Sequence, residues 1–333
     1  MSEYAVTLAN SGDWPQLFDM LRSWPFKSYL LHDNFNGSDL ENLCRVRAEK
    51  FLAQNGNLVW VCRSSAGIAA FAALSRLPWD SEQLGMLAAR LDYFVCNGPQ
   101  LEVYNIKRAL ADCVLQFCEK EGIRHLSARA DASDLSSIHV LEEKGFIQVD
   151  GILTLALHLE ESPARQPAQL PMEIRIATAA DAEAAAKLAG SAYIYDRFHS
   201  DPAIPPERSD RLHANWLRNS CSGKAADAGV LAEENGRLLG FVTCKLNRDT
   251  KEHLGKLIGT IVLVATAKEA SRRGIGRMAT MAALDWFRQQ GTAIVEVGTQ
   301  LRNLPASRLY ESCGFRLVGS SVSLRKLIAT TTQ

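Results

Sequence analysis

The sequence predicts an α/β protein of the α+β type, made of two similar units in tandem, and three observations support this fold class. The chain has 333 residues, which is long for one compact domain and suits two domains of about 150 to 170. Apolar, β-branched runs alternate with stretches of helical spacing along the chain. The sequence of segment 121–146 also aligns with that of segment 290–315 without a gap. Such a repeat predicts a duplicated fold.

The predicted elements follow the chain in order. In the first unit, residues 1–159, we predict strands at 3–9, 84–95 and 124–130, a hairpin of 57–63 and 68–75, helices at 39–54, 106–119 and 133–144, and a β pair at 146–159. Residues 160–171 are polar with three prolines, a composition typical of a semi-rigid linker. The second unit, residues 172–333, begins with a strand at 172–176, has helices at 181–192 and 209–219, and ends in a β pair.

A glycine turn in the second unit is the clearest chemical signal. The apolar run 257–264 predicts a buried strand, and the residues after the turn recur at helical spacing. Gly274 and Gly276 leave room for a close approach, and the start of a helix favours an anion. Three arginines flank them: Arg272, Arg273 and Arg277. The pattern suits a phosphate-binding turn, although a Gly-x-Gly before a helix is more often a plain turn.

The motifs that follow this turn resemble those of the GCN5-related N-acetyltransferase (GNAT) superfamily. A strand at 293–297, Asn303, a helix at 306–313 that carries Tyr310, and then Gly314-Phe315 come in that order. The resemblance covers residues 172–328. It implies a mixed, mostly antiparallel central sheet flanked by helices in each unit, and it implies acetyl-CoA as the cofactor.

The same resemblance implies where the cofactor binds. The pyrophosphate would lie on the turn, at Arg272, Arg273, Gly274, Ile275, Gly276 and Arg277. The pantetheine arm would follow the strand at Val262, Leu263 and Val264, and Asn303 and Tyr310 would lie beside the cofactor. Ser271 departs from the family, which usually has Gln or Arg at this position. We predict that Tyr310 protonates the leaving thiolate, since a phenol stays protonated at neutral pH; a packing role for its ring is the alternative.

The first copy of the repeat lacks the residues that would do this chemistry. Its presumed turn, Cys96-Asn-Gly-Pro99, has one glycine, one proline and no arginine. Asp134 stands where the second copy has Asn303, and its carboxylate would repel a polyanionic cofactor. Leu141 stands where the second copy has Tyr310. We therefore expect the first unit to be structural or substrate-organising, without a cofactor site.

The segment between the first two helices of the second unit is the predicted acceptor site. It combines aromatic, cationic and proline residues, which suits a loop that stacks on a ring and pairs with phosphate; an ordinary surface loop is the alternative. The predicted substrate contacts are Tyr195, Arg197, Phe198 and His199. The motifs "YDRFHSDP" and "LPWDSEQLG" resemble the TDP-fucosamine acetyltransferase family, which acetylates the 4-amino group of dTDP-4-amino-4,6-dideoxygalactose. This resemblance implies a small-molecule amine acceptor, such as a dTDP- or UDP-amino sugar.

Other functions stay open at this point. The strand 257–264 carries no carboxylate, so a general base on that strand is absent. Glu252 and His253 are candidates, with a solvated pair at the strand start as the alternative, and a sugar amine can lose its proton to water. A tandem GNAT could instead acetylate a peptide, an antibiotic or an amino-thiol, as mycothiol synthase does. A regulatory module that binds acyl-CoA without turnover is a further alternative.

Composition narrows the partners and the compartment. Lys plus Arg and Asp plus Glu both number 37, so nucleic acid is disfavoured as the main partner. The start of the sequence lacks a signal-peptide layout, and no apolar run reaches membrane-spanning length. The eight cysteines form no Cys-x-x-Cys pair, which predicts reduced thiols and no metal site. We expect a cytoplasmic protein that is a monomer or a homodimer.

Overall fold

The chain folds into two compact units. One contains the residues up to Gly151 together with those from Ser320 onward, and the other contains Ile152–Gly319. The computed structural model describes residues 4–25, 29, 32, 35–54, 56–99, 101–161 and 172–329. The predicted linker, 160–171, therefore lies almost wholly outside the described residues. No helix in the described part of the chain is long and apolar enough to span a membrane.

The helices and strands of the first half follow the predicted alternation. They are β1 (Ala5–Leu8), α1 (Trp14–Met20), α2 (Gly37–Leu52), β2 (Leu58–Ser64), β3 (Gly67–Arg76), α3 (Pro78–Leu84), β4 (Ala88–Cys96), α4 (Val103–Lys120), β5 (His125–Asp131), α5 (Leu135–Glu143) and β6 (Ile147–His158). Side chains define several helix starts: the Asn36 side chain accepts from the Ser38 amide at the start of α2, as expected of an N-cap residue.

The second half repeats this order of helices and strands element by element. Its elements are β7 (Glu173–Ile176), α6 (Ala182–Ala192), α7 (Pro206–Cys221), β8 (Ala228–Glu234), β9 (Arg237–Asn247), α8 (Arg248–Leu254), β10 (Ile258–Thr266), α9 (Ile275–Gln289), β11 (Ile294–Gln300), α10 (Leu304–Ser312) and β12 (Arg316–Leu327). A capping box between Thr178 and Asp181 precedes α6.

The two sheets have the same pairing pattern. In the first unit the strand order is β1-β2-β3-β4-β5-β12, and in the second it is β7-β8-β9-β10-β11-β6. Each sheet is antiparallel except for one parallel pair, β4 with β5 in the first unit and β10 with β11 in the second. The predicted fold class, two similar α+β units with mixed, mostly antiparallel sheets, is confirmed.

Each unit takes its last strand from the other half of the chain. Residues 152–158 of β6 pair antiparallel with β11, whereas residues 321–327 of β12 pair antiparallel with β5. With the predicted domain boundaries, 1–159 and 172–333, β6 would belong to the first unit and β12 to the second. The observed units therefore divide the chain at Gly151 and Ser320 instead.

Three local predictions differ from the structure. The predicted β pairs at 146–159 and after Phe315 are the single strands β6 and β12, because Gly151 and Gly319 do not adopt positive φ and no turn forms. The predicted strand 84–95 begins only at Ala88, because Pro78 starts helix α3 and Gly85, with φ of 67°, ends it. Helix α8 was not predicted. It holds Glu252 and His253, whose side chains lie 3.8 Å apart.

Packing on both faces of each sheet positions the site. In the second unit α9 and α10 cover one face with residues such as Phe287, Leu284 and Tyr310. Helices α6 and α7 cover the other face, where Phe241 and Leu263 are buried. A Cβ on Gly259 would come 2.4 Å from the Phe287 ring, so only glycine lets α9 pack this closely against β10.

Candidate active site

Strands β10 and β11 stop pairing before β10 ends and before the chain reaches the glycine turn. Their parallel pairing extends over four residue pairs, from Ile258–Ile294 to Ile261–Val297. Pairing of β10 with β9 also shifts between Ile261 and Val264, and the Leu263 amide there donates to the Thr243 hydroxyl at 2.9 Å. The backbone of Val264 thus passes a gap between β10 and β11. The predicted cofactor residues Val262, Leu263 and Val264 lie at this gap, and their contact with a cofactor stays a prediction.

The glycine turn has the backbone geometry of a cradle at a helix start. Gly274 has φ of 79° immediately before α9, and a Cβ there would meet nothing within 4 Å. A Cβ on Gly276 would lie 3.3 Å from the Thr266 hydroxyl and 3.4 Å from Leu309. Ile275 is buried beneath the turn. The open side of the turn therefore has room for a bulky anion at the positive end of α9.

The three arginines of the turn are not equivalent. Arg273 pairs with Glu234 at 2.5 Å, so part of its charge is already neutralised. Arg272 and Arg277 are exposed. Arg272 itself adopts a φ of 62°, an uncommon conformation for a residue other than glycine. We infer that Arg272 and Arg277 contribute more positive charge to the turn than Arg273 does.

Helix α10 presents Asn303 and Tyr310 to the same region. Asn303 caps the helix, and its side-chain oxygen accepts from the Ala306 amide at 3.2 Å. Tyr310 is 4% exposed, and its ring lies 5.8 Å from that of Phe315. Burial raises the pKa of Tyr310 well above the ordinary value of a phenol. The hydroxyl therefore stays protonated at neutral pH, as a proton donor requires, but it is a weaker acid than the sequence argument assumed.

The predicted acceptor segment is fastened to the loop before α10. The Arg302 guanidinium donates to the Tyr195 carbonyl oxygen at 3.3 Å and to the Ser200 hydroxyl. The Arg197 guanidinium lies 4.6 Å from the centroid of the Phe198 ring, a cation–π geometry. The structure thus brings the segment that carries Tyr195, Arg197 and Phe198 close to the residue that precedes Asn303. Substrate contact by these side chains stays a prediction.

His199 is occupied by two carboxylates. Its Nδ1 lies 2.5 Å from Asp196, and its Nε2 lies 3.1 Å from Asp210. The hydrogen bond with Asp196 raises the pKa of His199. Burial raises the pKa of Asp196, but the hydrogen bond from His199 and the nearby His213 outweigh it, so the carboxyl lies below its usual pKa. These contacts give His199 a role in ordering the loop, and its predicted contact with substrate is untested.

Sequence analysis missed Tyr193. This residue directly follows α6, its ring stacks on His213 with centroids 4.3 Å apart, and it packs beside Leu263. The sequence contained a signal: Ala185 and Ala189 form the buried face of α6, and position 193 continues that spacing. Tyr195, two residues later, was predicted instead because it belongs to the aromatic motif.

The matching helix of the first unit carries a buried lysine near its start. When the gap-free alignment of the two copies is extended backward through the preceding helix, Lys107 of α4 aligns with Gly276 of α9. Lys107 is 3% exposed, and its ammonium donates to Asp134 at 3.0 Å and to the hydroxyls of Ser136 and Ser137 at 2.8 and 2.7 Å. Asp134 caps α5 through the Ser137 amide, as Asn303 caps α10.

Comparison with known proteins gives a consistent family. Residues 192–315 match the model of the Acetyltransferase (GNAT) family. The chain is 28% identical over 188 residues to the spore coat polysaccharide biosynthesis protein SpsD of Bacillus subtilis, covering 56% of this chain and 61% of SpsD. It is 26% identical over 193 residues to the dTDP-fucosamine acetyltransferase of Escherichia coli, covering 57% of this chain and 75% of that protein. A mycothiol acetyltransferase of Renibacterium salmoninarum is 25% identical over 198 residues, covering 58% of this chain and 56% of that protein.

Two solved structures share the fold along nearly the whole chain. A GCN5-related N-acetyltransferase from Sphaerobacter thermophilus has a TM-score of 0.64 at 16% identity and covers 98% of this chain and 96% of its own. A tandem GNAT protein from the clavulanic acid biosynthesis pathway has a TM-score of 0.60 at 14% identity and covers 98% and 99%. At these identities the likeness is one of fold.

Proposed function

We propose that this chain, whose second unit contains a domain of the GNAT acetyltransferase family, acetylates the amino group of a nucleotide-activated amino sugar with acetyl-CoA. One observation supports the proposal most directly. An open glycine turn at the start of α9, the gap between β10 and β11, and the buried Tyr310 belong to one region of the second unit. A phosphate site, a strand edge and a proton donor are what transfer from a long thioester requires.

The residues of the turn fit a pyrophosphate. Gly274 is open to solvent where a side chain would stand, and Gly276 has little space for one beside Thr266 and Leu309. The first amides of α9 and the exposed Arg272 and Arg277 supply positive charge. Acetyl-CoA would supply an acetyl thioester there. Serine at position 271 leaves these arginines and the helix start as the groups that bind the anion.

The chain's own residues would act in two ways on the bound thioester. The backbone amide of Val264, at the gap in the sheet, is placed to polarise a carbonyl oxygen. Tyr310 would deliver its proton to the departing sulfur, because the hydroxyl is protonated throughout the neutral range. The acceptor amine would lose its proton to water, since the strand that faces it carries no carboxylate.

Relatives and the acceptor segment support the choice of acceptor. One relative is named a dTDP-fucosamine acetyltransferase and another belongs to spore coat polysaccharide biosynthesis. Arg197 and Phe198 form a cationic and aromatic pair on the acceptor segment, which suits a phosphate next to a ring. The mycothiol acetyltransferases among the relatives support a second candidate, an amino-thiol acceptor.

A thiol-release assay with a panel of amines tests the proposal. The panel contains dTDP- and UDP-linked amino sugars, the same sugars without the nucleotide, a cysteinyl amino-thiol and short peptides. We expect release of CoA with a nucleotide-linked sugar and far less with the free sugar. Turnover with the amino-thiol alone would support the second candidate, and turnover with none of these amines would contradict both.

Arg197→Ala separates the phosphate contact from cofactor binding. If Arg197 pairs with a phosphate of the acceptor, the variant should raise the Michaelis constant for that acceptor and leave acetyl-CoA affinity unchanged. Loss of one partner of such a pair typically costs about 2–5 kcal/mol, or roughly 30-fold and more in binding. Arg211→Ala, at an arginine on α7 outside the predicted contacts, is the matched control. An increase of less than about threefold would contradict the phosphate contact.

A further inference from the structure

The hydroxyl of Tyr193 is buried without a hydrogen-bond partner among the described residues. A phenol hydroxyl shielded from water normally finds a partner, because leaving it unsatisfied costs about 1–3 kcal/mol. The ring itself is partly accessible, so the hydroxyl points inward rather than to solvent. Such an orphaned donor marks a place where a ligand atom would complete the site.

Tyr193 packs in the region where the acetyl thioester is proposed to bind. Tyr193 packs in the cluster that contains Leu263 and Ala265, on either side of Val264. The Val264 backbone approaches the hydroxyl closely enough to lower the pKa of Tyr193, although burial and the neighbouring Tyr310 raise that pKa more. Tyr193 therefore lies beside the part of β10 whose Val264 amide is proposed to polarise the carbonyl.

His213 holds the Tyr193 ring in place. The two rings are nearly parallel, 19° apart, with centroids separated by 4.3 Å. His213 is 2% exposed, and its Nδ1–H donates to the Ser209 carbonyl oxygen at 2.8 Å. Burial lowers the pKa of His213, so a neutral imidazole is the stacking partner at neutral pH. The Tyr193 hydroxyl is thereby fixed before any ligand arrives.

We infer that Tyr193 is a further catalytic residue, whose hydroxyl donates a hydrogen bond to the carbonyl oxygen of the acetyl thioester alongside the Val264 amide. This inference rests on the proposed function. During transfer the amine nitrogen forms a bond to the acetyl carbon and the carbon–sulfur bond breaks. One proton leaves the amine to water, one passes from Tyr310 to the sulfur, and Tyr310 then regains a proton from water. Tyr193 keeps its proton and stabilises the negative charge on oxygen.

Infrared spectroscopy of bound acetyl-CoA labelled with carbon-13 at the carbonyl tests the inference without an acceptor. A second donor weakens the carbonyl bond, so the stretching frequency should be lower in the wild type than in Tyr193→Phe. Replacing Tyr193 with 3-fluorotyrosine, which keeps the hydroxyl and makes it more acidic, should lower the frequency further. Tyr93→Phe is the matched control, because Tyr93 is a tyrosine of the first unit whose ring also packs on an aromatic, Trp24, at 5.0 Å.

The outcomes separate the inference from the proposed function. A wild type that does not bind acetyl-CoA overturns both. Binding with the same carbonyl frequency in the wild type, Tyr193→Phe and the fluorinated protein overturns the inference alone. If the Phe variant does not fold, the fluorinated protein and the wild type still decide the matter. With a working acceptor, Tyr193→Phe should lower kcat by about 10² to 10³, the usual effect of one such donor, and leave the affinity for CoA unchanged.

Discussion

The two units have the same order of strands and helices and differ at the positions that the proposed chemistry needs. Each unit has one parallel strand pair, which extends over four residue pairs. In each unit a polar side chain, Asp134 or Asn303, caps the short helix that follows, α5 or α10. In the first unit Lys107 and Leu141 stand where the second has Gly276 and Tyr310. The buried Lys107 pairs with Asp134 and lies 5.4 Å from the Phe94 ring, so a charged pair stands where the second unit has a glycine and an asparagine.

The difference shows how the first unit accommodates a carboxylate at the position that corresponds to Asn303. Burial raises the pKa of Asp134, but the Lys107 charge and the hydrogen bonds of Ser137 outweigh it and hold that carboxyl below its usual pKa. The carboxylate that would repel a polyanion is thus neutralised within the unit. A buried pair of this kind stabilises the unit only while both partners are present.

The largest expected effect is loss of the cofactor from the second unit. Gly276→Asp should abolish acetyl-CoA binding, because it adds negative charge and bulk at the start of α9 beside Thr266 and Leu309. Isothermal titration calorimetry with acetyl-CoA would measure this, with circular dichroism to confirm the fold. The wild type should bind one equivalent per chain, and a second equivalent would mean that the first unit also has a working site.

A smaller but still large effect is expected from Tyr310→Phe. The ring and its packing on Phe315 remain, while the proton donor is lost, so kcat should fall by at least about a hundredfold, within the range of 10² to 10⁴ for such donors. The matched substitution in the first unit, Leu141→Phe, should leave kcat near the wild-type value. Melting temperature and acetyl-CoA affinity should also stay unchanged in Tyr310→Phe. A variant that keeps most of its turnover would make Tyr310 a packing residue.

In the first unit the expected effect is on stability. Lys107→Met leaves Asp134 buried without its counter-charge, which typically costs about 3–5 kcal/mol. Lys107→Met/Asp134→Asn should recover part of that loss, because the remaining amide can still cap α5. Urea denaturation of both variants measures the difference, and acetyl-CoA stoichiometry should stay at one. Equal stability of Lys107→Met and the wild type would show that the pair contributes nothing.

The smallest effect concerns the acceptor segment and pH. His199 has a raised pKa because of its hydrogen bond with Asp196, so its stabilising contribution is complete below the ordinary histidine pKa of about 6.5 and is lost as pH rises through the raised value. The difference in melting temperature between the wild type and His199→Gln should therefore shrink at alkaline pH. A contribution of about 1 kcal/mol corresponds to roughly 2–4 °C. Because Asp210 and His213 are present in both proteins, a pH-independent difference would contradict this role.

The fold could be predicted because most of its signals are local, whereas the predicted contacts of the site residues stay predictions. The glycine turn and the helix that carries Tyr310 are each marked by residues close together in the sequence, and the repeat is marked by two segments that align without a gap. The exchange of β6 and β12 could not be predicted, since the two copies offer equivalent strands and either would satisfy the same pattern. Tyr193 was missed for a related reason, because its role depends on where the end of α6 directs one side chain in space.

Because the two units exchange strands, the first unit cannot be completed until β12 has been synthesised. Strand β5 ends at Asp131, and its partner β12 begins at Arg316. A ribosome adds roughly 5–20 residues per second, so a nascent chain carries β5 for roughly ten to forty seconds before that partner exists. Throughout this interval the backbone amides and carbonyls on that edge are open to other strands. The first unit therefore gains its last strand only after the other strands and helices of the second unit have been synthesised.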